Sequence, residues 1–266
     1  MNRIIDYENL SNKIQEWIVN YVTENNLQVL VVGVSGGIDS AVVSTLCAKT
    51  GVPTIAVGMP IHSNAENTRL SDLQIALLTK TYSNVEGYNI DLSSVFTSFK
   101  SHKVFDRFNS ELGFANTKSR LRMITLYQIA ASVGGIVVGT GNKVEDFGVG
   151  FYTKYGDGGV DISPIADLYK SEVRELGRLL NVPQEIIDAE PTDGLWDDNR
   201  VDETQIGVSY DHLEWVMEYG LKKWEDDLKL TQTEMTAISS YLSFNTKNKH
   251  KMVSIPIFDL KDNNII

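Results

Sequence analysis

The chain has 266 residues, 42% hydrophobic and 22% charged, the balance of an ordinary soluble globular protein able to bury a substantial core. Thirty-five acidic against 24 basic side chains leave a net charge of −11, which disfavours extensive contact with a nucleic-acid backbone. The single cysteine, Cys47, excludes an internal disulfide and a thiolate metal cluster; no stretch is apolar enough for a membrane span or reads as a secretory leader, so the cytoplasm is the expected compartment.

Tyr7, Leu10, Ile14, Trp17, Ile18 and Tyr21 recur at helical spacing and predict an amphipathic helix over residues 6–25. Leu27–Val34 follows, with the β-branched density of a strand buried on both faces. Beyond it the chain alternates: a helix over Ala41–Thr50, a strand over Pro53–Met59, a helix over Leu70–Tyr82 and a strand over Val85–Ile90. Helical segments over Leu92–Asn109 and Ala115–Val133, a short strand Ile136–Val138 and a helix over Leu168–Leu180 complete this part. Such alternation predicts an α/β fold, a Rossmann-like, mostly parallel sheet flanked by helices, with ligands at the carboxyl ends of the strands. After Pro183 the strand signal fades. Asp188, Glu190, Asp193, Asp197, Asp198, Asp202 and Glu203 crowd a segment expected to be a mobile, solvated loop. Two helices, Ser209–Gly220 and Thr231–Phe244, form a helical C-terminal extension, the second with a Thr231/Glu234 capping box. With no internal repeat or low-complexity linker, one domain is the simplest assignment.

The segment Gly33-Val34-Ser35-Gly36-Gly37-Ile38-Asp39-Ser40 lies between the first strand and the second helix. Gly36 and Gly37 permit a tight turn with exposed N–H groups, and the positive end of the following helix favours an anion. Ser35 and Ser40 add hydroxyl donors. Asp39 by itself would repel phosphate, so its expected use is to hold a Mg²⁺ that bridges the phosphates. A glycine-rich turn without a ligand is the plainer alternative, but strand, turn, serines and carboxylate occur in the order a phosphate site requires. The segment lacks the Lys-Ser/Thr pair of a Walker loop and the spacing of a dinucleotide fingerprint. It resembles the pyrophosphate loop of the N-type ATP pyrophosphatases, which cleave ATP between its α and β phosphates.

Further segments resemble one family in the same order along the chain, the ammonia-dependent NAD synthetases. These are Asn116-x-Lys118-x-Arg120-x-Arg122, Gly139-Thr140 through Glu145, Phe151 through Asp161, Leu168-Tyr169-Lys170, Glu190-Pro191-Thr192 and His250-Lys251. The resemblance implies the fold of the adenine nucleotide α-hydrolases, with ATP bound by residues 33–40 together with Thr140, Lys170 and Thr192. It implies deamido-NAD binding by Arg120, Lys154, Asp161, His250 and Lys251, and Mg²⁺ held by Asp39 and Glu145. Without it, Glu145 reads as a surface residue, Lys170 as a helix-surface lysine, the basic cluster at 118–122 as a solvated face and His250-Lys251 as part of a basic tail. The chain departs from the family at Gly141-Asn142, where Asp-His is usual, and between Met59 and Arg69, which is expected to be a mobile lid.

The implied reaction is amidation of deamido-NAD through an NAD-adenylate, giving NAD, AMP and pyrophosphate. Free ammonia, or ammonia from a separate protein, is the expected nitrogen source, since too few residues precede Gly33 for a glutaminase domain. A homodimer is implied, and the N-terminal helix with Trp17 and Tyr21 is either its interface or ordinary core. A tRNA-modifying pyrophosphatase that adenylates a base is the alternative reading; net charge and the lone Cys47 weigh against it. A nucleotide sensor without turnover is the other.

Overall fold

The computed structural model of the protein describes residues 3–192, 194–196 and 202–258, so Asp193, Asp197 and Asp198 of the acidic segment lie outside the described residues. Four strands, β1 (Val29–Gly33), β2 (Thr54–Gly58), β3 (Val85–Asn89) and β4 (Gly135–Val138), form one parallel sheet in the order β3-β2-β1-β4. β1 lies between β2 and β4, with Gly33 opposite Val57 and Val32 opposite Val138. Its alternating side chains explain its composition. Leu30 and Val32 join a core with α1 (Tyr7–Glu24), α2 (Ile38–Lys49), α3 (Ala65–Thr81) and α6 (Lys170–Leu179). Val31 joins a second core on the opposite face, with α4 (Ser93–Lys100) and α5 (Glu111–Val133). A strand filled on both faces has no use for polar alternation.

α2 is buried from Ala41 through Ala48, sandwiched between the sheet and its neighbouring helices, which is why its apolar residues show no one-sided period. Gln74 of α3 braces it, donating to the Ala41 carbonyl and to the hydroxyls of Ser44 and Thr45.

Four short helices and one long one follow α6: α7 (Gln184–Ile187), α8 (Asp202–Ile206), α9 (Tyr210–Trp215), α10 (Leu221–Glu225) and α11 (Gln232–Met252). A π turn, Val216–Gly220, joins α9 to α10. α7 packs Ile186 and Ile187 into the first core, while the apolar faces of the later helices form a third core, which also takes in Val144, Val149 and Tyr169. The Thr231/Glu234 capping box starts α11 as expected. Among the described residues no helix is long and apolar enough to cross a membrane.

Several boundaries differ from the sequence expectation. The single helical stretch over 92–109 breaks after Lys100 into a 3-10 turn, Lys103–Asp106, because His102 Nδ1 accepts the Val104 N–H and ends the helical register. The expected lid is partly core and partly helix: Met59 and Ile61 are buried, and Asn64 caps α3 by accepting the Asn67 N–H, so the helix starts at Ala65. Residues 143–149 wind into a π-helix that no 3.6-residue period would reveal. α11 continues to Met252, so His250 and Lys251 occupy its last turn and no tail.

Candidate active site

β1 and β4 are adjacent, so the segments leaving their carboxyl ends run side by side, residues 34–40 from β1 and 139–145 from β4. Gly36 adopts a left-handed φ of +90°, and a Cβ there would stand 2.5 Å from the Asn67 carbonyl oxygen of α3, so both conformation and space require glycine. Ser40 is buried and closes the turn: its Oγ accepts the Ser35 N–H at 3.1 Å and donates to the Gly37 carbonyl at 2.9 Å. That employs the hydroxyl as an internal brace, whereas Ser35 is exposed at the rim. No side chain caps α2 at Gly37, which leaves its first turn of amides facing the strand ends.

Three charged side chains converge beneath this loop. Lys170 Nζ donates to Asp39 Oδ2 at 2.6 Å and to Glu145 Oε1 at 3.0 Å. The plain reading of Lys170 without the family resemblance, a helix-surface lysine, fails: Lys170 is 4% exposed. A cation at the first position of a helix also opposes the helix dipole, so the two carboxylates are what make this placement tolerable. Glu145 likewise is no surface residue. Burial alone would raise its carboxyl, but Lys170, the Tyr210 hydroxyl and Asn142 hold it below the ordinary range. Burial raises the Asp39 carboxyl; Lys170 pulls it back and the neighbouring Glu145 charge adds to the rise.

Asn142 stands out in the sequence only as part of the departure from the family at Gly141-Asn142, with no role attached. It is fully buried, accepts the N–H groups of Val144 and Glu145 to start the π-helix, and donates to Asp39 Oδ2 at 3.3 Å. Asp146 also went unnoticed; its carboxyl is raised well above the usual range by burial and by Glu145, Asp157 and Asp39. The departure at Gly141 now has a steric reason, because a Cβ there would lie 1.9 Å from Asp146 Oδ2. Thr140 is half-buried beside this cluster, and Thr192 accepts the Gly194 N–H.

A second group of expected residues gathers on other elements. Arg120, exposed on α5, donates through Nε and Nη2 to the Lys154 carbonyl. Lys154 Nζ reaches the His250 carbonyl at 3.2 Å, and Lys251 Nζ reaches the Tyr152 carbonyl at 2.7 Å. Arg120, Lys154, His250 and Lys251 are therefore brought together. Asp161 is placed by β4 instead, its two oxygens taking the Tyr127 hydroxyl and the Val137 N–H. The basic cluster on α5 is not one solvated face. Lys118 is buried and donates to the Leu195 carbonyl, and Arg122 donates to that of Met59, so both tie loops to the helix.

The glycine-rich turn on an open helix end, beside buried carboxylates and a lysine, belongs to a chain most of which matches a known family. Residues 10–254 match the family model described as NAD synthase. The chain belongs to the NAD synthase family. The NH3-dependent NAD⁺ synthetase of Methanosarcina acetivorans is 35% identical over 259 residues, covering 96% of this chain and all of that one. Among solved structures, the NMN synthetase from Francisella tularensis superposes with a TM-score of 0.82 at 30% identity, over 96% of this chain and 100% of that chain. The NH3-dependent NAD synthetase from Campylobacter jejuni, solved with a nitrate ion, gives a TM-score of 0.75 at 26% identity over the same shares. These NAD synthase relatives share the α/β architecture described above.

Proposed function

We propose that the chain joins ammonia to the pyridine carboxylate of deamido-NAD at the expense of ATP, releasing NAD, AMP and pyrophosphate. The observation that carries this is the convergence of Asp39, Glu145 and Lys170 under an uncapped helix end at the switch between β1 and β4. The pyridine carboxylate oxygen attacks the α phosphorus and pyrophosphate departs. Ammonia then adds to the acyl carbon of the adenylate, a proton is lost and AMP leaves. The α2 amides and the 33–40 loop bind the phosphates, while Lys170, once shared with them, offsets charge on the departing pyrophosphate. Thr140 and Thr192 stand at the edges of the ATP position. Arg120, Lys154 and Lys251 offer positive charge to the dinucleotide, His250 offers its imidazole, and Asp161 offers a carboxylate to its polar groups.

A divalent cation fits the phosphate end. Asp39 Oδ1 is buried without a hydrogen-bond partner, so an acceptor faces the position where a cation would sit. Among the described residues no three acidic, His or Cys side chains form a closed metal cage. That suits Mg²⁺, which takes one or two carboxylates and completes its shell with phosphate oxygens and water. Asp39 and Glu145 would hold it, and it would neutralise phosphate charge. A homodimer, free or protein-delivered ammonia and a cytoplasmic setting complete the proposal; exposed Leu112 and Ile124 on α5 supply apolar surface for a second copy, and Cys47 is buried and unpaired.

Incubation with ATP, Mg²⁺, deamido-NAD and ammonium should yield NAD, AMP and pyrophosphate in equal amounts. AMP without NAD would overturn the assigned acceptor, and absence of nucleotide turnover would overturn the enzyme itself. A second reading, nicotinate mononucleotide as the acceptor, is favoured by the TM-score of 0.82 to the Francisella NMN synthetase. Comparing kcat/KM for the two acids in the same assay decides between them.

A further inference from the structure

We propose that Tyr210, on the first turn of α9, is a positioning residue that sets the carboxylate of Glu145 for cation binding and thereby makes the C-terminal helical core part of the active site. The proposal rests on the assignment of Asp39 and Glu145 as cation ligands.

Tyr210 is 1% exposed, its ring embedded among Ile206, Leu213 and Ile238 in the third core. Its hydroxyl leaves that apolar setting and donates to Glu145 Oε1 at 2.7 Å, a contact across 65 residues of chain. The same ring lies 5.2 Å from Lys170 Nζ, so one side chain touches both a carboxylate and the ammonium that bridges it. Lys170 and Tyr210 both address Oε1, which fixes the rotation of the carboxylate about its terminal bond.

The helix carrying Tyr210 is itself anchored at two points. Glu203 Oε1 accepts the Tyr210 N–H at 2.9 Å, and Ser209 caps the helix through the His212 N–H. One turn further on, Glu214 accepts both the N–H and the hydroxyl of Ser171, at 2.9 and 2.6 Å. α9 thus holds Glu145 with one residue and the residue after Lys170 with another. Glu203, expected in a solvated acidic loop, has a structural use in this clamp.

A hydrogen bond to a charged group that fixes its rotation is worth roughly a tenfold change in the equilibrium that depends on that rotation. The test compares the full-length protein with Tyr210→Phe, which keeps the ring and removes the hydroxyl, and with Ser171→Ala, which loosens the second contact. Mn²⁺ binding is measured by electron paramagnetic resonance in the presence of a non-hydrolysable ATP analogue, alongside the Mg²⁺ dependence of turnover and a thermal melt. For Tyr210→Phe the dissociation constant for Mn²⁺ and the half-saturating Mg²⁺ should each rise about tenfold, excess Mg²⁺ should restore much of the rate, and KM for the pyridine acid should stay put. For Ser171→Ala a shift of about threefold in the same direction is expected, since only part of the clamp is lost. A general structural defect would lower the melting temperature and the active fraction while leaving cation affinity unchanged. Unchanged Mn²⁺ and Mg²⁺ affinity in both folded variants overturns the proposal. Glu145→Gln distinguishes the two levels: if it too leaves cation affinity unchanged, the assignment of Glu145 as a ligand fails with it.

Discussion

The proposed phosphate and acceptor ends of the site handle charge in opposite ways. At the proposed phosphate end, Lys170 is buried and already satisfied by Asp39 and Glu145. At the proposed acceptor end, Arg120, Lys154 and Lys251 donate only to backbone carbonyls, and among the described residues none of them is in a salt bridge. Carbonyl oxygens orient these cations without cancelling their charge, so an anionic substrate meets positive potential. At the phosphate end one ammonium is shared by two carboxylates, and a nucleotide with its counter-ion would have to exchange partners within the triad. On this reading affinity at one end would come from standing charge and at the other from exchange.

The sharpest way to break this contrast is Lys170→Met. It leaves two buried carboxylates without their cation and should cost about 3–5 kcal/mol of stability, with turnover lost as well. The loss should deepen as pH rises, because both carboxyls would then bind protons more tightly folded than unfolded. A denaturant melt at pH 5 and pH 8 checks both size and direction, and equal stability to the parent would remove the triad from the argument. At the other end, Arg120→Ala should raise KM for the pyridine acid about tenfold with stability and KM for ATP nearly unchanged, as steady-state kinetics would reveal.

Smaller effects sharpen the picture of the phosphate end. Gly141→Ala should destabilise by about 1 kcal/mol through collision with Asp146, and Asp146→Ala in the same chain should recover most of it; a double-mutant cycle showing no coupling would refute the steric account. Smallest is Asp146→Asn. The folded state holds the Asp146 proton more tightly than the unfolded state, so stability falls as pH climbs past the ordinary carboxylate range. The amide removes that loss, and a melt at pH 7.5 should show a gain of about 2 °C that vanishes near pH 4.

The same contrast governs what the sequence discloses. The 33–40 loop is contiguous, and strand, glycines and helix start each leave a local mark, so its fold and position were legible. Lys170 meets Asp39 across 131 residues and Glu145 across 25, and only family resemblance connected them. Tyr210 had no signal at all, since a buried tyrosine on a helix looks like any core aromatic until its hydroxyl is located. The π-helix at 143–149 escaped because its winding matches neither of the periods sought, and with it went Asp146 and the capping role of Asn142. At the acceptor end, helical spacing put Arg120 off the face shared by Lys118 and Arg122, and the structure agrees. It did not show that Lys118 on this face is buried and Arg122 half-buried.

The enclosure of α2 has a consequence for motion. The amides of Ala41 to Ala48 belong to the part of the helix that is covered on every side, so local fraying cannot expose them, and their exchange with solvent deuterium should require opening of the whole molecule. The open first turn proposed to meet phosphate is therefore carried on a helix body as stiff as the centre of the protein. ATP binding there would have little of that body left to order.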